Sequence, residues 1–181
     1  MKQNLTITAA TLLIATLAAC SNTKADTSGT PASPNAAKHS STTKQDSTAS
    51  KPLTAGTAFD QISASVTTAK LSGTVTAEND PNDLLGRPSQ YTSKITFSDS
   101  RISADDVIGT DKGDIERGGA IESFATAGDA KTRAEYIQTV TKSMPTLTEY
   151  DYVQGTTLVR VSHYLTPKQA GEYKAAAANL E

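Results

Sequence analysis

The chain of 181 residues holds one cysteine, two histidines and no tryptophan, and only 5% of it is aromatic. A single cysteine closes no internal disulfide, and it removes Cys-ligated zinc and iron–sulfur sites as well. Neither sign of charge dominates: 17 Lys and Arg face 19 Asp and Glu, for a net −2. A nucleic-acid binder needs a basic field, so no nucleic-acid partner is expected. Within 57–181 the hydrolase signatures G-x-S-x-G, H-E-x-x-H and S-x-x-K are all missing. No strand–helix repeat with a Gly-rich phosphate loop occurs either, so a nucleotide-binding parallel sheet is not expected and no cofactor is implied.

What the sequence does contain begins at its N-terminus. Lys2 is followed by an apolar stretch from Thr6 to Ala19 that includes Leu12, Leu13, Ile14 and Leu17. At about 14 residues this falls short of the roughly 20 that cross a bilayer, and it reads as an export signal over 1–19. The run ends at Leu17-Ala18-Ala19-Cys20, which resembles the lipobox of bacterial lipoproteins. The resemblance implies cleavage before Cys20, a diacylglyceryl group on its thiol, and a protein held on the extracytoplasmic face of the cell membrane. One acyl chain anchors reversibly and two anchor durably, at about 0.8 kcal/mol per buried methylene.

Residues 21–51 contain no Val, Ile, Leu, Met, Phe, Tyr or Trp. Nothing there repays the entropy of ordering a backbone, so 20–56 reads as a lipidated Cys followed by a disordered tether. Lys24, Lys38, Lys44 and Lys51 against Asp26 and Asp46 make it slightly basic, while the remainder of the chain is acidic.

Hydrophobic patterning runs from 57 to 181, roughly 125 residues, enough for one core without staples. Phe59, Ile62 and Val66 have helical spacing, and Tyr91, Ser93, Ile95 and Phe97 alternate with polar residues as in a half-buried strand. A second strand is expected over Ala120–Thr126, and a helix from an Asp129 cap to Ser143 with Ala130, Ala134, Ile137 and Met144 inward. Thr148–Val153 and Thr156–Leu165 read as a hairpin around Gln154-Gly155. Thr166-Pro167-Lys168-Gln169 is a capping box opening a last helix with Ala170, Tyr173, Ala177 and Leu180 buried. The order predicts an α+β domain: an antiparallel sheet of four or five strands with about three helices, mainly on one face.

The most elaborate stretch is Asn79-Asp80-Pro81-Asn82-Asp83-Leu84-Leu85-Gly86-Arg87-Pro88-Ser89-Gln90-Tyr91-Thr92-Ser93-Lys94. With Gly118-Gly119, Glu149-Tyr150-Asp151-Tyr152 and Leu165-Thr166-Pro167-Lys168-Gln169-Ala170, it resembles small uncharacterised exported proteins and lipoproteins of Gram-positive bacteria. That resemblance spans most of 75–180 and implies a shared domain without implying an activity.

Read physically, 79–90 is a turn-rich polar loop, and Asp80, Asn82, Asp83, Arg87 and Tyr91 form its candidate binding surface. Arg87 there either grips a carboxylate or phosphate or pairs with Asp80 or Asp83 to fix the loop. Tyr150, Tyr152 and Tyr164 would extend that contact surface. Asp105, Asp106, Asp111, Asp114 and Glu116 lack the EF-hand spacing and read as a solvated acidic loop, so no metal is expected. His163, the only histidine of 57–181, shares its expected strand face with Val159, Val161 and Leu165 and reads as a packed residue.

Glu122 shares a face with Phe124, where burial would raise its pKa, and Arg160 is its expected salt partner. These features suggest a binding or interaction module for a cell-envelope protein or a small ligand. The alternative is a small cell-surface hydrolase or envelope-modifying enzyme working through carboxylates.

Overall fold

A computed structural model describes residues 53–181. The expected export signal, Cys20 and the expected tether up to residue 52 lie outside the described residues. Helix α1 (Ala55–Ser65) opens with Thr54, whose side chain accepts from the Thr57 amide while Thr57 caps back onto Thr54. This start precedes residue 57 because Ala55 is wholly buried and its amide is fixed by Ser93 Oγ at 2.9 Å.

Five strands follow: β1 (Ala69–Thr74), β2 (Ser93–Asp99), β3 (Gly118–Ser123), β4 (Glu149–Gln154) and β5 (Thr157–Ser162). They form one antiparallel sheet in the order β1-β2-β3-β5-β4. The remaining helices are α2 (Ala127–Thr141), between β3 and β4, and α3 (Pro167–Ala177), after β5. The α+β architecture is as expected, with two of the three helices on one face.

Side-chain alternation gives the sheet two unlike faces. Ile95, Phe97, Ile121, Val159 and Val161 point to α1 and α3, where Phe59, Ile62, Ala170 and Tyr173 complete the main core. Phe97 stacks on Tyr173 with ring centroids 5.3 Å apart and lies 5.9 Å from Phe59. Gly119 is required beneath it, since a Cβ there would come within 2.5 Å of the Phe97 ring and 2.1 Å of the Arg160 carbonyl oxygen. On the opposite face, α2 lays Ala130, Ala134 and Ile137 against Leu158, Phe124 and Tyr91.

Several local expectations shift. Strand β1 went unpredicted: it is an edge strand interrupted by an irregularity between Leu71 and Gly73, so it carries little alternation. β2 begins only at Ser93, which frees Tyr91 to enter the α2 cluster, away from Ile95 and Phe97. Thr126 rather than Asp129 caps α2; Asp129 binds the Thr126 hydroxyl from the first turn. Met144 lies past the end of α2 and is exposed. The hairpin turn is Gly155-Thr156, one residue later than expected, with Gly155 at φ +53°. β5 stops at Ser162, so His163 occupies a turn beside Tyr164 rather than a strand face.

Candidate functional site

The 79–90 loop is built around Asp80. Its carboxylate accepts the amides of Asn82, Leu84 and Leu85 at 3.1, 2.8 and 2.8 Å, and the Tyr91 hydroxyl at 2.7 Å. Burial pushes the Asp80 pKa up, but the Tyr91 hydroxyl and these amides outweigh it and hold the group down at about 2. Burial, then the Asp80 carboxylate, drives the Tyr91 hydroxyl upward. Asp80 is 6% exposed and Tyr91 not at all, so both organise the loop from inside and offer nothing to a partner.

Asp83 takes φ +52°, which an aspartate tolerates in a turn. Arg87 is exposed and makes no ion pair among the described residues, so it does not brace the loop through Asp80 or Asp83. Of the five candidate residues only Asn82 reaches the cleft described below, together with its loop neighbours Leu84, Ser89 and Gln90 on one side and Asn79 and Pro81 on the other. The other tyrosines separate: Tyr164 is exposed, whereas Tyr150 and Tyr152 pack against the main core.

The α2-facing side of the sheet carries a charge network across four strands. Lys94 lies directly opposite Glu122 in the β2–β3 register, and Asp151 opposite Arg160 in the β4–β5 register. Glu122 is wholly buried and touches three cations: Lys94 Nζ at 3.2 Å, Arg160 Nη1 at 3.1 Å, and Arg133 Nε of α2 at 3.1 Å. Arg160 also donates Nε and Nη2 to the two oxygens of Glu149, at 2.8 and 2.9 Å.

Burial alone would raise the Glu122 pKa, but Arg160, Lys94 and Arg133 outweigh it and keep the carboxylate ionised. The expectation of a raised Glu122 is therefore overturned. Its oxygens are already engaged by cations, so it is poorly placed to act as a base. Burial lowers the Lys94 pKa, with Glu122 pulling the other way.

Next to this network, burial and the nearby Glu149 charge raise Asp151 to about 7. Gln138 donates to one of its oxygens, and the other is buried without a partner among the described residues.

Above the network lies a cleft with two lobes. One, of about 610 Å³, runs along α2 past Leu84, Tyr136, Ile137 and Val140. The other, of about 520 Å³, lies over β1 and β2 and is flanked by the loop holding Asp111, Asp114 and Glu116. Asn82, Arg133 and Arg160 line both lobes, and Lys94 lines the second. Glu122 lines neither. Arg133 uses only Nε on Glu122, and its two terminal nitrogens have no protein acceptor among the described residues. Glu122 thus stays underneath while Lys94, Arg133 and Arg160 meet the cleft, whose second lobe is also lined by Asp111, Lys112, Asp114 and Glu116.

Sequence reasoning reached Glu122 and Arg160 but missed Lys94, Arg133, Glu149 and Asp151. Alternation put Lys94 on a solvent face, and nothing local shows that α2 folds back over that face. Among the described residues no group of His, Cys, Asp and Glu is placed to hold a metal ion, and no helix is long and apolar enough to cross a membrane. Compared with known proteins, the chain matches no family model, no curated protein and no solved structure.

Proposed function

We propose that the chain is a lipoprotein anchored to the extracytoplasmic face of the cell membrane through a diacylglyceryl group on Cys20, and that its domain is a binding module for an anionic ligand. The observation that carries the binding reading is the cleft floor. Lys94, Arg133 and Arg160 line it, while their shared counter-ion Glu122 is wholly buried beneath them. Donors held in place by a rigid sheet bind an anion without first being ordered, which is how a small site gains affinity. The lobes have the size of small-molecule sites, roughly 300–1,000 Å³. A cell-envelope protein presenting a carboxylate would meet the same donors.

The anchor is tested by Cys20→Ser, which should move the protein from the membrane fraction to the medium and abolish labelling by an alkynyl fatty acid. Absence of label on the native chain, or label that persists on the Cys20→Ser chain, would refute it. The cleft is tested by titrating acetate or inorganic phosphate while following the Arg133 and Arg160 side-chain NMR signals. No saturable change with either anion would refute the binding reading.

The alternative of a carboxylate-dependent surface hydrolase draws support from Asp151, whose pKa of about 7 suits a general acid or base. Asp151 lines neither lobe of the cleft, which favours binding over catalysis.

A further inference from the structure

We infer, building on the cleft reading above, that the ligand is an amphipathic anion: one carboxylate or phosphate head bound where the two lobes meet, and an apolar arm laid along α2. The meeting point is fixed by Asn82, Arg133 and Arg160, which line both lobes. A head there reaches the unpartnered terminal nitrogens of Arg133.

The α2 lobe has a different chemistry. Tyr136 and Val140 stand one helical turn apart, 60% and 38% exposed, with Leu84 across from them. Apolar side chains at that spacing form a continuous strip, and the strip abuts the cations instead of lying apart from them. The other exposed apolar residues, such as Leu71, Ile108 and Val153, are not in the cleft and need no ligand to explain them.

An inorganic anion would leave the α2 lobe unused. A polyanion would be repelled by Asp111, Asp114 and Glu116, which flank the second lobe. One charged head and one apolar arm satisfy both lobes.

The test is calorimetric titration of the Cys20→Ser chain with acetate, octanoate, inorganic phosphate, octyl phosphate and octylammonium. Octanoate and octyl phosphate should bind at least roughly tenfold tighter than their short counterparts, since each seated methylene contributes up to about fourfold. Octylammonium should show no saturable binding. The tighter of the two octyl anions identifies the head group. Arg133→Gln should weaken every anion. Val140→Gln lies on the helix surface one turn beyond Tyr136 and should lower the ratio of octyl to short-anion affinity, whereas Tyr136→Gln also removes the ring that lies 5.8 Å from the Arg133 guanidinium and should weaken both.

Equal affinity for acetate and octanoate, and for the two phosphates, would overturn the amphipathic assignment while leaving an anion site in the cleft. Octylammonium binding as tightly as octanoate would overturn the anionic head. Absence of binding by any anion would overturn the cleft reading itself.

Discussion

The two faces of the sheet are made by the same strands and hold together by opposite means. On the α1/α3 side, Ile95, Phe97, Ile121, Val159 and Val161 are packed and dry. On the α2 side, the alternate residues Lys94, Glu122 and Arg160 are buried as ions. Apolar packing gains free energy from every carbon removed from water, whereas buried ions merely recover what their desolvation costs. The α1/α3 face therefore holds the larger apolar core, and the α2 face combines a smaller cluster of Tyr91, Phe124, Ile137 and Leu158 with a charge pattern that a purely hydrophobic sheet could not present. The cations that line the cleft thus lie on the face with the smaller apolar core.

The comparison can be broken first on the packed side. Phe97→Ala removes a ring that is 1% exposed and stacked on Tyr173. We expect a loss of about 4 kcal/mol by urea unfolding, because a cavity opens between two helices and the sheet.

On the charged side, Glu122→Gln leaves three cations facing one another. A loss of about 3 kcal/mol is expected at low salt, and added phosphate should restore part of it by entering the cleft. A loss insensitive to phosphate would show that the cations do not communicate with the cleft.

A smaller and more specific effect belongs to Asp151. Folding raises its pKa from 3.8 to about 7, so between those values the native state holds a proton that the unfolded chain has released. Its contribution to stability therefore falls as pH rises through that window. Asp151→Asn should flatten this slope in denaturation series between pH 4 and pH 8, with a gain of about 2 kcal/mol at the upper end. Asp80 has the opposite sign. Its pKa is held at about 2, so the stability it contributes is present above the unfolded 3.8 and is lost as pH falls towards 2.

The smallest effect is expected at Arg87, where no ion pair is broken: Arg87→Ala should change stability by less than about 0.5 kcal/mol. A larger change would reinstate it as a brace of the 79–90 loop. Unchanged ligand capture together with unchanged stability would remove it from the binding surface.

How far the sequence was legible follows the same division. Phe59, Ile62, Ile95, Phe97 and Ile121 announce themselves by period, and Thr166 to Gln169 by capping chemistry, because these signals are local. The charged face was half legible. Glu122 and Arg160 stand out as ions on apolar strands, but Arg133 comes from a helix, and nothing in the spacing says which side of the sheet that helix will cover. The role of Asp80 was hidden for a similar reason. Turn chemistry marks it as a turn former, yet its tie to Tyr91 depends on where β2 begins.

Asp99, at the end of β2, holds one consequence for the order of events in making the protein. Its carboxylate accepts the Tyr173 hydroxyl at 2.6 Å across 74 residues of chain, and it also pairs with Arg101 and Thr68. The Phe97 ring has its stacking partner in that same tyrosine. Until residue 173 has been synthesised, Phe97 has only Phe59 as an aromatic neighbour, and Asp99 has only Thr68 and Arg101. The core therefore closes only once α3 has been made, and a ribosome-bound fragment ending before α3 should remain open to protease. For the export proposed above, such lateness leaves little folded structure to undo on the way through.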